Sequence, residues 1–510
     1  MQKSILSLLV VLIGSTLFSI IFWQEKQGLN ILLFDVFIIA ALWYLDKEPF
    51  STPSVKAFVA GTLLTSILIV WHNSFLAMFI HALSFATMIG LVQQRELRFL
   101  GYAFLMYGFN LLSVPLQFVK TLKSSNILRG YPNVAQRLGS VWMVVLIVPV
   151  FYLIYYAANA KFAELANRFW HQFFWFFTFD INLARIILFV FGFVIIGAAI
   201  WRQSWVDLQQ IDQKHSETLN PSDEGETDTL TYRNAFNLIV MLNALLLINN
   251  VLDIRYVWFG DVSGKTALEL KEYVHEGTYV LIFGIILAIA VILWLFRGSL
   301  NFIKNEGELT TKSGQILRGA TSLWLAQNAL LALSVGVRNT QYIQHYGLAY
   351  KRIGVFIFLS LALYGLWLLF LKIREKRTFF FFMRRGAYAI YAVLVAACLV
   401  NWDVFITNYN IHTPAKSGSI DVRFLVEDVS DKNLPQLFTN IEFLAPKMPQ
   451  QPFPDSDYRG GNKVFATDEE RLAYLKGLLI KKKEVFEREQ KNYSWFSWNY
   501  PDYVNRQFFK

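Results

Sequence analysis

Four amides and two charges crowd one apolar stretch near the middle of the chain: Asn237, Asn243, Asn249 and Asn250, then Asp253 and Arg255. Asn243 and Asn250 are seven residues apart, nearly one helical face, and Asn249 and Asp253 are four apart. Such side chains inside an apolar helix either hydrogen-bond to neighbouring helices, at about 0.6 kcal/mol per contact on average, or line a solute site. A second group gathers at Arg338, with Gln327 and Asn328 before it and Tyr342, Tyr346 and Arg352 after it. Two planar guanidinium forks beside phenols suit a carboxylate or an anionic headgroup. The alternative is that both arginines snorkel to the interface and anchor helix ends. Glu276 precedes a further apolar stretch, where a helix N-terminus would stabilise its carboxylate. The candidate polar or anion site is therefore Asn243, Asn250, Asp253, Glu276, Arg338, Tyr342, Tyr346 and Arg352. Asp35 and His81 are the ionisable residues set well inside other apolar stretches. They suit proton coupling and relay, or simply buried hydrogen bonds.

The motifs that usually carry chemistry are missing. There is no Gly-x-x-x-x-Gly-Lys phosphate loop, no His-Glu-x-x-His and no Gly-x-Ser-x-Gly. His275 and Glu276 have no further ligands at metal spacing. The single cysteine, Cys398, excludes internal disulfides and thiolate metal clusters. No catalytic residue, cofactor or metal is assigned, and the balance leans away from an enzyme.

These residues sit in an unusual chain. It is 55% hydrophobic and 16% charged, against roughly a quarter charged in soluble domains. Its mean hydropathy is +0.39. Roughly a dozen stretches of about 18 to 22 residues are apolar enough to cross a ~30 Å hydrocarbon core as helices. They fall near 5–22, 30–45, 56–71, 75–92, 99–119, 138–158, 184–201, 235–252, 277–296, 317–336, 353–371 and 386–406. The expected fold is all-α: a polytopic transmembrane helical bundle of about 12 spans, with a small, partly helical C-terminal extramembrane tail. Residues 161–179 mix Lys161, Glu164 and Arg168 with Trp170, Phe173, Phe174 and Trp175. They read as an interfacial amphipathic helix, or as a thirteenth span. The first stretch lacks a small-residue cleavage pattern and reads as an uncleaved helix. His72-Asn73-Ser74 is short enough to make a tight hairpin.

The polar segments divide the chain into an N-terminal half (1–202), an acidic flexible linker (203–232), a C-terminal half (233–406) and the tail (407–510). The linker reading rests on Glu217, Asp223, Glu224, Glu226 and Asp228 with Pro221 and Gly225. In the tail, Thr467 and Glu470 form a capping box before Leu472, Leu475, Leu479 and Phe486 on one face. Lys372, Arg374, Lys376, Arg377, Arg384 and Arg385 form the densest basic cluster, a loop that the positive-inside rule places in the cytoplasm. The tail is then extracytoplasmic. Arg95 and Arg98 conflict with Lys120, Lys123, Arg129 and Arg137 if one span separates them, which leaves the side of the N-terminus open. The net charge of +10 follows from such flanking residues and points to anionic headgroups of the bilayer, with no nucleic-acid partner.

Three phrases of the second half belong together. Glu272-Tyr273-Val274-His275-Glu276-Gly277 leads into one span. Ser334-Val335-Gly336-Val337-Arg338-Asn339-Thr340-Gln341-Tyr342 is followed by His345-Tyr346-Gly347-Leu348-Ala349-Tyr350-Lys351-Arg352. Asn401-Trp402-Asp403-Val404-Phe405-Ile406-Thr407-Asn408-Tyr409-Asn410-Ile411 closes the last span. Over about residues 230–445 the chain resembles a family of bacterial multi-pass membrane proteins known only as a domain of unknown function, of the 4173 or 4153 type. Ala349 departs from the Thr expected after Gly-Leu. The resemblance implies a bacterial cytoplasmic membrane and the helix order, and no activity. The favoured expectation is transport or handling of a small anionic solute or lipid. A sensor or scaffold with an extracytoplasmic tail is the alternative, and a membrane-embedded transferase the third.

Overall fold

The computed structural model describes residues 2–125, 148, 151, 152, 154–176, 183–203, 206–220, 229–259, 267–303, 309–413, 415, 416, 420–448 and 465–510, with backbone alone at 2, 171–176, 183 and 267–278. Among them the chain is helical throughout, in the order α1 Gln2–Ile21, α2 Leu29–Leu45, α3 Pro53–His72, α4 Phe75–Gln93, α5 Leu100–Ser124, α6 Ala160–Phe176, α7 Leu183–Ile200, α8 Leu208–Lys214, α9 Thr229–Asp253, α10 Ala267–Leu295, α11 Thr311–Tyr346, α12 Tyr350–Arg374, α13 Phe379–Ala397 and α14 Trp402–His412. The tail adds α15 Leu434–Thr439, α16 Ile441–Leu444, α17 Asp468–Gln490 and α18 Tyr500–Phe508. Eight helices (α1, α3, α4, α5, α9, α11, α12 and α13) are long and apolar enough to cross a membrane, and α2, α7 and α10 contribute shorter apolar segments. These are the helices of a membrane protein. The expected total of twelve spans is not reached among the described residues, and 138–158 lies largely outside them.

Local chemistry sets the breaks. Asn73 turns left-handed at φ 46° to close α3, and the Ser74 hydroxyl accepts from the Ala77 amide to open α4. At Gly90 an added Cβ would overlap the Ala103 carbonyl, so α4 and α5 meet backbone to backbone. Two apolar cores result. One is built on Val11, Ile38, Met88, Ile89 and Ile196, the other on Ile239, Ile285, Ile292, Val335 and Leu369. A third core joins Ile343 and Ile406 to Leu425, Leu437, Leu444, Leu475 and Leu479, so the tail is packed on the bundle.

Four expectations need correction. The last span does not run 386–406. It begins at Phe379, where the Thr378 hydroxyl accepts from Phe381 N, and it breaks at Cys398 before Asn401 caps α14. Arg384 and Arg385 are therefore helical rather than loop residues. The expected flexible linker is built into the fold over its first part: α8 lies within it, Asp212 is fully buried against Arg98, and Glu217 pairs with Arg384. Its residues 221–228 lie outside the described set. Glu276 does not open its helix, since α10 starts nine residues earlier at Ala267; its side chain lies outside the description. In the capping box, Glu470 N donates to Thr467, but the Glu470 carboxylate accepts from Ala466 N at 2.7 Å rather than from Thr467.

Contacts also show which helix ends share a face. The loop after α1 donates through Leu29 N to Trp498 O at 3.0 Å, and Asn73 reaches Gln27 O, so both lie beside the tail. Glu48 pairs with Arg95, and Phe99 meets Phe380, on the opposite face. Ser124, at the end of α5, hydrogen-bonds Ser4 at the start of α1 at 3.0 Å. Asn110, mid-way along α5, bonds Gln93 at the end of α4. Arg95 and Arg98 lie on that opposite face, and Arg129 and Arg137, which share in the charge conflict with them, lie outside the described residues.

Candidate functional site

The amide stripe on α9 is turned onto α11. Asn243 Nδ2 donates to Ala320 O at 3.0 Å and its Oδ1 accepts from Gln327 Nε2 at 2.7 Å, while Asn250 Nδ2 donates to Gln327 O at 3.1 Å. One turn beyond Asn250 lies Asp253, buried, and Arg338 of α11 forms an ion pair with it. Past Asp253 the helix loosens into a π turn over Ile254–Trp258. That turn lets Trp258 Nε1 donate to Ser334 at 2.9 Å and Gln341 Nε2 donate to Val257 O at 2.7 Å. The seam is polar from Asn243 to Arg338, and Asn250 Oδ1, Asp253 Oδ2 and Gln327 Oε1 are buried without a hydrogen-bond donor among the described residues.

Arg352 belongs to a separate group. Its Nη1 donates to the carbonyls of Tyr346 and Gly347, and its guanidinium lies 4.5 Å from the Tyr342 ring centroid. Tyr342 and Tyr346 touch at 4.7 Å between centroids. Asn339 Nδ2 ties the two groups by donating to Arg352 O at 2.9 Å. Each guanidinium is thus directed to a protein acceptor, Arg338 to a carboxylate and Arg352 to carbonyls.

Sequence reasoning missed the joint that this second group supports. Gly347 turns left-handed at φ 82°, where a Cβ would meet Asn410 Oδ1. Asn410 clamps the turn, accepting from Leu348 N at 2.6 Å and donating to Leu348 O at 2.9 Å. Asp403, seven residues earlier in α14, accepts from Tyr350 OH at 2.5 Å, from Lys432 Nζ at 2.9 Å and from the Ser430 hydroxyl. Burial opposes its charge, but Lys432, Ser430 and Tyr350 outweigh that and hold the carboxyl below its ordinary range. The signal was visible: Asp403 and Asn410 both stand in the third phrase, whose pairing with the second is this contact.

An apolar groove of about 580 Å³ opens between the halves. α4 and α5 wall it with Thr87, Leu100 and Phe104, α10 with Ile286 and Ile289, α12 with Leu361 and Gly365, and α13 with Met383, Gly386 and Tyr391. Around its Phe99–Met383 end, Arg98 lies 5.1 Å from the Phe380 ring, and Arg377 and Arg385 lie 5.3 and 6.0 Å from that of Phe381.

Compared with known families, residues 57–439 match the one described as a domain of unknown function, DUF4153. The chain belongs to this family. The match starts well before residue 230, so the N-terminal half from residue 57 onward is part of the family unit, and the groove between the halves lies within it. No curated protein and no solved structure matches the chain.

Membership gives Ala349 a physical meaning. It is the N-cap of α12, with extended backbone and no side-chain cap. Ala349→Thr is expected to add a side-chain acceptor for the first-turn amides, beside the Ala349 carbonyl that Arg352 N reaches at 3.0 Å, and to stabilise by at most about 1 kcal/mol. Thermal unfolding in detergent should shift upward by no more than about 2 °C in a chain this long. A downward shift would mean that Tyr350 and Asp403 leave no room for the branch.

Proposed function

We propose that this protein handles a membrane lipid, binding one acyl chain in the groove between its halves and an anionic headgroup at the basic end. The observation that carries the reading is the groove itself. Its volume falls within the roughly 300–1,000 Å³ typical of small-molecule sites, its lining is apolar from five helices, and it ends beside Arg98, Arg377 and Arg385. An acyl chain fits an apolar wall that faces hydrocarbon, and guanidinium groups suit phosphate. Arg385 is the arginine that meets the anion in this reading, because Arg98 is held by Asp212 and Arg377 by Glu375, just as Arg338 is held by Asp253.

The topology reading supports the same picture. The face carrying Arg95, Arg98, Arg374 and Arg385 is the cytoplasmic one in this reading, by the positive-inside rule, and the tail is then extracytoplasmic in a bacterial inner membrane. The groove then opens in the cytoplasmic half of the bilayer, where anionic headgroups attract bases.

Gly386 tests the reading, since a Cβ there meets nothing within 4 Å. Gly386→Trp should fill the groove while leaving expression and unfolding temperature intact. Lipids extracted from the purified variant and quantified by mass spectrometry should show at least a several-fold loss of the anionic species retained by wild type. Arg385→Ala should lower the same species without emptying the groove. A lipid profile unchanged in Gly386→Trp would remove the groove as the site.

A further inference from the structure

We propose that Asp35 and His81 form a proton-binding site inside the N-terminal half, one proton being held between carboxyl and imidazole. The proposal is independent of the lipid reading. Asp35 of α2 is fully buried and His81 of α4 nearly so, with Nδ1 3.6 Å from Oδ2. Both carboxylate oxygens of Asp35 are buried with no hydrogen-bond donor among the described residues. Ser66 stands beside the carboxylate, its hydroxyl donating to Leu63 O at 2.9 Å, and Thr65 Oγ1 lies 3.3 Å from the imidazole Nδ1.

The surroundings decide the chemistry. α3 faces the pair with Thr62, Thr65 and Ser66, α4 with Ser84 beside His81, α5 with Tyr107 behind Phe85, and α13 with Tyr391, whose hydroxyl is 3.0 Å from Ser84 Oγ. α1 offers Ser15 and Ser19 but no ionisable group past Lys3. α7 offers only Arg185, about two turns from where Phe191 meets Phe18. Glu25, Lys26 and Asp502 stand outside the start of α2, Lys26 paired with Asp502 and Glu25 held by Ser494 and Ser497. No charged side chain among the described residues neutralises Asp35.

An ionised carboxylate in such a place is strongly disfavoured unless something compensates it. The neutral site therefore contains one titratable proton, written either as carboxylic acid with neutral imidazole or as carboxylate with imidazolium. Losing that proton leaves a bare buried carboxylate, and gaining a second leaves a buried imidazolium. Ser84, about one turn along α4 from His81, meets the Tyr391 hydroxyl at 3.0 Å, and Tyr391 stands in the wall of the groove.

Dicyclohexylcarbodiimide, a lipophilic reagent that attacks only protonated carboxyls, reads this site in the whole protein. Mass spectrometry should find Asp35 modified, with the yield falling in one step as pH rises. His81→Gln should displace that step, because the partner sharing the proton has gone. Infrared spectra of wild type should lose a protonated-carboxyl band at the same pH, a readout that needs no variant. No modification of Asp35 at any pH, or a step and band that His81→Gln leaves in place, would overturn the proposal.

Discussion

Replacing Arg338 by Ala is expected to destabilise the protein by about 3–5 kcal/mol, because it leaves Asp253 as an unpaired carboxylate between α9 and α11. Both side chains are buried, 9% and 6% exposed, so solvent screens the pair little. Asp253→Ala should cost a similar amount by stranding Arg338. The informative variant is the double replacement Asp253→Leu with Arg338→Met. Removing both charges from this buried end of the seam recovers their desolvation, so stability should return close to wild type. Thermal unfolding of all three in one detergent measures this. A double variant as unstable as either single one would show that Arg338 matters for more than this pair. Arg338→Lys keeps the charge but loses the planar fork, and should fall between wild type and Arg338→Ala.

That pair shows where the sequence could be read and where it stopped. Placing Asn243, Asn250 and Asp253 on one helical face needed only the spacing, and the structure turns that face onto a neighbouring helix. Joining Arg338 to Asp253 needed the register of α11 on α9, which depends on packing 85 residues apart in sequence. The helices themselves were legible because lipid demands long apolar stretches, and the Asn73 hairpin was legible from its length. The break at Cys398 was not, since Ala397–Val400 is apolar enough to continue a span. Only Asn401, a cap residue inside an otherwise apolar run, marked it. The segment 203–219 misled through its acidity. Asp212 and Glu217 serve Arg98 and Arg384, partners far along the chain whose proximity composition does not encode.

The joint between bundle and tail carries the other large expected effect. Asp403→Asn should release the tail at neutral pH, because Lys432, 9% exposed, loses the carboxylate 2.9 Å away. Tyr350 and Ser430 lose a charged acceptor at the same time. Breaking a pair buried this well costs about 3 kcal/mol or more. The sign of the pH dependence follows from the carboxyl being held below its ordinary range. The unfolded carboxyl takes up its proton first, near pH ~3.9, so Asp403's contribution is complete above that value. It is lost as pH falls through the lower folded value. Wild type should therefore keep its tail docked at neutral pH and loosen it only in strong acid. Limited proteolysis of the purified protein, followed by the appearance of tail fragments, reads both effects. Asp403→Asn should yield at pH 7 the fragments that wild type gives only in acid, and Ala at Asn410 should add to them by freeing the Gly347–Leu348 turn. If Asp403→Asn is as resistant as wild type at pH 7, the apolar contacts of Ile343 and Ile406 with Leu425 and Leu437 hold the tail without the charge, and the joint is a positioning contact only.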